Sequence, residues 1–143
     1  MSKIYNILIV EDDDENIFLI KKALASDNIN LFSHTDPIEA LSFLKSCDEH
    51  SLPDVILLDI NMPEMNGFEF IDYYKRSTFY RPVPIIVLTV SKEDEDILRS
   101  YHNGAVGFVS KPVSFEELYR VMKNIKTYCF DTIKLPPRKR MKK

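Results

Sequence analysis

The sequence predicts an α/β protein built on a doubly wound parallel sheet. Apolar, strand-like runs alternate with helix-like segments along the chain, and the runs ILIV and VPIIVL are continuously apolar. Continuous apolar runs are typical of central parallel strands covered on both faces. Strands that alternate with helices imply right-handed crossover connections within one parallel sheet.

Five segments are predicted as strands. The second is placed at an edge of the sheet because its continuous apolar run is shorter and its residues are more polar than those of the central strands. The five segments are residues 4–10, 29–34, 55–59, 83–88 and 105–109.

The helices between these strands carry recognisable start signals. Asp36 followed by Pro37 is an N-cap pattern with proline at the first helical position. Ser114 and Glu117 have the spacing of a capping box for the last helix, and residues 13–14 are interpreted as caps of the first helix. Apolar stripes at helical spacing follow these signals and are interpreted as core.

Composition excludes several classes of protein. The chain has 143 residues, of which 45% are hydrophobic and 29% charged, as in ordinary globular proteins. No apolar run approaches the roughly 20 residues of a membrane span, and the N-terminus does not resemble a signal peptide. We therefore expect a cytoplasmic protein without a membrane span.

Charge is distributed unevenly along the chain. Five of the 19 basic residues lie in residues 138–143, which leaves 14 basic against 22 acidic residues, a balance of −8, in the rest. Such an acidic body argues against a nucleic-acid-binding surface.

Polar residues follow the predicted strands at the points where the apolar runs end. Glu11 and Asp12 follow the first strand, Asp59 ends the third, Thr89 follows the fourth and Lys111 follows the fifth. The carboxyl ends of parallel strands meet at one edge of a sheet, which is where functional groups gather in this fold class. We expect these five side chains to lie close together.

The chemistry of these groups points to a metal and a phosphoryl group. Crowded carboxylates repel one another and require a cation, and an open, all-oxygen site suits Mg²⁺. An aspartate such as Asp59 can act as a covalent acceptor. Lys111 would pair with one phosphoryl oxygen and Thr89 would donate a hydrogen bond to another.

Four sequence blocks together resemble the receiver domain of two-component response regulators. They are VED, LLDINMPEMNG, VLTVS and FVSKPV, in family order within residues 4–128. The resemblance implies a flavodoxin-like (βα)5 sheet of order 2-1-3-4-5. It implies Asp59 as phosphoacceptor, with Thr89 and Lys111 completing the catalytic set. The implied metal ligands are Glu11, Asp12, Asp59 and the main-chain carbonyl of Asn61, and the implied switch aromatic is Phe108.

The resemblance also implies a function and partners. The chain would be a phosphorylation-activated signalling switch that receives its phosphoryl group from a histidine kinase or a phosphotransfer protein. It would not be an enzyme beyond Mg²⁺-dependent self-phosphorylation and autodephosphorylation. Its downstream target, or a second copy in a homodimer, would bind the face formed by the fourth helix, fifth strand and fifth helix.

Length indicates how the chain is organised. We expect a receiver domain over residues 1–130 and a C-terminal extension with a basic tail over residues 131–143, too short for a DNA-binding domain. The last helix is predicted from residue 114 to about 128. The segment before the last strand and the closing aromatic-to-LPP segment resemble stand-alone receivers that partner phytochrome-type kinases.

Two other functions compete with this one. A phosphatase of the haloacid dehalogenase type also uses an aspartate, Mg²⁺, a threonine and a lysine, but expects a second aspartate where this chain has Asn61. A phosphorylation-independent scaffold is disfavoured by the intact set of site residues.

The basic tail permits two interpretations. Residues 138–143 are expected to be a solvated end that Pro136 and Pro137 hold away from the domain. Alternatively, they are a weak electrostatic handle on an acidic partner.

Overall fold

The computed structural model describes residues 3–139 and contains a single five-stranded parallel sheet within them. The strands are β1 (Tyr5–Val10), β2 (Ile29–His34), β3 (Val55–Leu58), β4 (Ile85–Thr89) and β5 (Gly107–Ser110). The helices are α1 (Asp14–Leu24), α2 (Pro37–Ser46), α3 (Gly67–Arg76), α4 (Asp94–His102) and α5 (Phe115–Lys126). The strand order is β2-β1-β3-β4-β5, which confirms the predicted fold class and the edge position of β2.

The sheet separates two apolar layers, as expected for a doubly wound fold. Alternate residues of the central strands face opposite sides, so that Ile7 and Ile9 of β1 join one cluster and Leu8 and Val10 the other. Residues of α1 and α5 complete the first cluster, and residues of α2 and α3 complete the second. The central strands are therefore rigid supports for whatever follows their ends.

Helix α4 is held less firmly than its neighbours. Its only buried side chain is that of Ser100, whereas α3 buries five residues. The guanidinium of Arg99 lies 4.2 Å from the ring centroid of Phe68, and Lys75 Nζ donates to Asn103 O at 3.2 Å. Surface contacts rather than a buried apolar stripe thus position α4.

The predicted strand limits are wrong by one or two residues at several ends. Strand β4 begins at Ile85 rather than at residue 83. Pro82 and Pro84 have no N–H to donate to a neighbouring strand, although the carbonyl of Pro84 accepts from Ile56 N at 2.9 Å. The apolar run therefore extends further than the hydrogen-bonded ladder.

The helix starts follow the predicted caps, except that Asp14 is the first residue of α1 rather than a cap and the capping box of α5 is incomplete. Asp13 and Asp36 accept hydrogen bonds from main-chain N–H groups of the first turns of α1 and α2. For α5, Ser114 accepts from the N–H three residues later at 3.2 Å, which is one half of a capping box. The reciprocal box lies instead at α3, between Asn66 and Glu69.

The chain does not end with α5. A π-helical segment, Thr127–Thr132, continues the helix, and Cys129 within it is buried. Arg138 then forms an ion pair with Asp54, so the expectation that the tail is held away from the domain is wrong for this residue. Residues 140–143 lie outside the described part of the chain.

Across residues 3–139, the helices are too short or too polar for any of them to cross a membrane.

Tyr74 of α3 anchors the loop that leads into β4. The ring is fully buried, and the hydroxyl donates to Arg81 O at 3.1 Å and accepts from Arg81 N at 3.2 Å. Burial raises the pKa of Tyr74 to about 12 from its ordinary value of 10.0, because the phenolate loses hydration. The neutral hydroxyl is thus part of the folded structure.

We expect Tyr74→Phe to lower the free energy of unfolding by about 1–2 kcal/mol at neutral pH, because two hydrogen bonds are lost. The folded pKa lies above the unfolded value, so the wild type keeps this contribution below pH 10 and loses it as pH rises towards 12. Urea unfolding from neutral pH to about pH 11.5 should show a steeper fall for wild type than for the variant. Tyr73→Phe, at an exposed position on the same helix, is the control. Parallel pH profiles for wild type and Tyr74→Phe would contradict the assignment.

Candidate functional site

The register of the sheet brings the predicted site residues together at its carboxyl edge. Val10 pairs with Leu58, so the next residues, Glu11 and Asp59, leave neighbouring strands side by side. Lys111 N donates to the carbonyl of Thr89 at 2.7 Å, which holds the end of β5 beside the end of β4. Strand pairing alone therefore assembles groups that are up to 100 positions apart in sequence.

Three carboxylates form a compact cluster at this edge. One oxygen from each of Glu11, Asp12 and Asp59 lies within 4.8 Å of the others. Glu11 and Asp59 are buried, whereas Asp12 is exposed. The cluster therefore offers an all-oxygen donor set with one side open to solvent, as a hydrated divalent cation requires.

Lys111 balances part of this negative charge. Its Nζ donates to Glu11 Oε1 and, at 3.3 Å, to Asp59 Oδ2, and its side chain is only 10% exposed. Burial raises the pKa of Glu11 above its ordinary value; the hydrogen bond from Lys111 opposes this, and the charge of Asp59 reinforces it. A metal ion at the cluster would share the two buried carboxylates with the ammonium group.

The two oxygens of Asp59 have different partners. Oδ1 accepts from the main-chain N–H of Asn61 at 3.0 Å, and Oδ2 accepts from Lys111 at 3.3 Å. These bonds orient a carboxylate that stands at the end of a rigid strand. Such a carboxylate can act as a nucleophile or as a metal ligand.

Sequence reasoning missed the side chain of Asn61. Its Nδ2 donates to Thr89 Oγ1 at 3.1 Å, and the N–H of Ser91 approaches the same oxygen at 3.4 Å. Thr89 is fully buried, and both bonds use its hydroxyl as an acceptor. The hydroxyl therefore retains its own proton for donation to an incoming anion.

Ser91 was also missed, and it links the end of β4 to α4 and β5. Its hydroxyl donates to Asp96 of α4 at 2.6 Å, and its carbonyl accepts from the Ser110 hydroxyl at 3.2 Å. A shift of Thr89 would therefore be transmitted to the start of α4 and the end of β5. The sequence signal was only a serine two positions after a strand-end threonine.

Phe108 does not touch the carboxylate cluster. It lies in β5, is partly buried, and packs against a small cluster that includes Ile60, Val87 and Ala105. Phe108 also lines a surface groove together with Tyr101 of α4.

The chain matches the sequence model described as the response regulator receiver domain over residues 7–123. It belongs to this family. Receivers are phosphorylation-activated switches of two-component systems and bind a divalent metal.

Two relatives share most of their length with this receiver. The probable methanogenesis regulatory protein FilR2 of Methanothrix harundinacea is 36% identical, covering 85% of this chain and 81% of FilR2. The response regulator Rcp1 of Synechocystis is 28% identical, covering 91% of this chain and 92% of Rcp1.

Solved structures agree with the fold. The phosphorylated cyanobacterial phytochrome response regulator RcpA matches with a TM-score of 0.84 and 30% identity, over 93% of this chain and 99% of RcpA. The Mn²⁺-bound form of Rcp1 matches with a TM-score of 0.80 and 28% identity, over 92% of this chain and 99% of Rcp1.

Gly67 shapes the loop that follows Asp59. A Cβ at this position would lie 2.7 Å from Ile60 Cα and 2.9 Å from Asp59 O, both main-chain atoms. The Gly67 N–H also donates to Ile60 O at 3.1 Å. The first turn of α3 therefore packs directly on the backbone that carries Asp59.

We expect Gly67→Ala to lower the free energy of unfolding by about 1–3 kcal/mol, because the backbone must move to admit the methyl group. Gly107→Ala is the matched control, since a Cβ there meets nothing closer than 3.9 Å. Urea unfolding of both variants measures the difference. Equal stabilities of the two variants would show that the start of α3 can accommodate a Cβ without moving the backbone.

Proposed function

We propose that Asp59 is the residue of this receiver that accepts the phosphoryl group. Its position supports this assignment: it directly follows the central strand β3, is buried, and has one carboxylate oxygen bonded to Lys111 and the other to the Asn61 N–H. The donor would be a phosphohistidine of a histidine kinase or phosphotransfer protein.

The transfer needs few protein groups. A carboxylate oxygen of Asp59 attacks phosphorus, an O–P bond forms, and the P–N bond to the donor imidazole breaks with its electron pair going to nitrogen. The ammonium of Lys111, which is hydrogen-bonded to Asp59, would pair with one phosphoryl oxygen. The free proton of the Thr89 hydroxyl is available for another.

We propose Mg²⁺ as the divalent metal. The donor set fits, because Glu11, Asp12 and Asp59 supply only oxygen atoms, and the main-chain carbonyl of Asn61 remains a predicted further ligand. When bound, Mg²⁺ neutralises charge on the transferring group and on the carboxylates. The chain would catalyse only its own phosphorylation and dephosphorylation, both dependent on Mg²⁺.

We propose the surface of α4, β5 and α5 as the output surface, for a downstream protein or a second copy. Tyr101 and Tyr119 are exposed by 50% and 42%, and Phe108 lies beneath this surface. The likeness to RcpA and Rcp1 favours a phytochrome-type histidine kinase as the donor, in the cytoplasm. Phosphorylation would shift the population between two arrangements of this surface.

Asp59→Asn should abolish phosphorylation of the full chain by acetyl phosphate in the presence of Mg²⁺, because the amide cannot attack phosphorus. Intact-mass spectrometry reports the added phosphate. Asp72→Asn, an exposed substitution on α3, is the control and should label like wild type. If Asp59→Asn gained as much phosphate as wild type, another residue would be the phosphoacceptor.

Lys111→Ala should still bind beryllofluoride but should no longer pass the change on to the output surface. The reason is that Lys111 joins β5 to the carboxylates. In wild type we expect beryllofluoride with Mg²⁺ to change amide exchange in peptides that cover α4 and β5. In Lys111→Ala we expect most of that change to be lost.

Lys45→Ala, an exposed substitution on α2, serves as the control and should respond like wild type. Changes confined to α2, or an unaltered response in Lys111→Ala, would exclude this route.

A further inference from the structure

The segment after α5 packs back onto the domain. Within it Cys129 is buried, and Phe130 and Leu135 pack against the apolar cluster formed with α1 and α5. The ring of Phe130 stacks on that of Tyr5 at the start of β1, with centroids 4.1 Å apart. This segment lies beyond the end of the family match at residue 123, yet it contributes to the core.

Asp54 is a buried carboxylate at the end of the sheet opposite the carboxylate cluster. It directly precedes β3, and its side chain is only 1% exposed. One carboxylate oxygen accepts from the main-chain N–H of Asn6 at 2.8 Å. A carboxylate buried to this degree is costly unless a cation is hydrogen-bonded to it.

Arg138 supplies that cation. Its Nε donates to Asp54 Oδ1 at 3.1 Å and its Nη2 to Oδ2 at 2.6 Å, which is the bidentate geometry of a strong pair. The same Nη2 also donates to Ile4 O at 2.8 Å, and the side chain of Arg81 donates to Arg138 O. Arg138 thereby joins the segments that precede β1, β3 and β4.

We propose that residues 127–138 form a strap that belongs to the folding unit of this receiver, and that Arg138 locks the strap onto the buried carboxylate of Asp54. Between the lock and α5, Ile133 and Leu135 line a groove that also includes Tyr101 and Phe108. The lock therefore keeps one wall of the proposed output surface in place.

This proposal makes the C-terminal extension a structural part of the domain. A buried ion pair is often no more stabilising than an apolar replacement of the same shape, but removal of one partner leaves an uncompensated buried charge. The loss of folding stability should therefore be large for each single substitution, and smaller than the sum of the two losses when both charges are removed together. The proposal does not depend on which residue accepts the phosphoryl group.

The test is a double-mutant cycle in the full chain, with Arg138→Gln, Asp54→Asn and the double variant, followed by urea unfolding. We expect Arg138→Gln to raise the unfolding equilibrium constant by at least roughly 30-fold, and the double variant to be markedly less affected than the product of the single effects. Lys139→Gln, which removes the neighbouring charge, is the control and should change it by less than about 3-fold.

Amide exchange under native conditions provides a second measurement. In Arg138→Gln, peptides covering residues 127–137 should exchange at least roughly 10-fold faster, while those of β1 and α1 remain protected. If Arg138→Gln fails to fold, Arg138→Lys, which keeps the charge but not the bidentate geometry, should show the same local increase. Multiplicative single effects, or unchanged protection of residues 127–137, would overturn the proposal.

Discussion

Repulsion between carboxylates at the carboxyl edge of the sheet is the constraint on which this structure depends. Glu11 and Asp59 are forced together because β1 and β3 pair in a fixed register, and both lie in a poorly hydrated position. Lys111, which directly follows β5, relieves part of the repulsion. The arrangement leaves a demand for further positive charge, which makes the site receptive to a metal ion and, through it, to a phosphoryl group.

Much of the fold and of the site was predictable because local sequence patterns indicate both. The apolar runs end abruptly at the residues that turn out to be grouped, and parallel pairing places such ends at one edge. Strand limits were less predictable, since Pro84, which has no N–H to donate, lies within the continuous apolar run just before β4 begins. The side chain of Asn61 and the hydroxyl of Ser91 escaped because their hydrogen bonds depend on loop geometry that no periodicity reveals.

The ion pair of Arg138 with Asp54 was unpredictable for another reason. The two residues are 84 positions apart, and a cluster of basic residues near the end of a sequence usually indicates a solvated tail. Asp54, just before a central strand, is buried, and a buried carboxylate requires a cation as its partner. The central strands β1 and β3 thus carry polar anchors at both ends and apolar side chains between them.

The light packing of α4 has a cost for signalling. A helix that buries one small side chain, Ser100, is held by contacts worth on the order of 0.5–1 kcal/mol each, such as the stacking of Arg99 on Phe68. If its displaced position lies about 2 kcal/mol above the resting one, roughly 3% of molecules occupy it at any moment without a signal. A receiver whose α4 is held this weakly would respond to a small input, and for the same reason a fraction of its molecules would carry a displaced α4 before any phosphoryl group arrives.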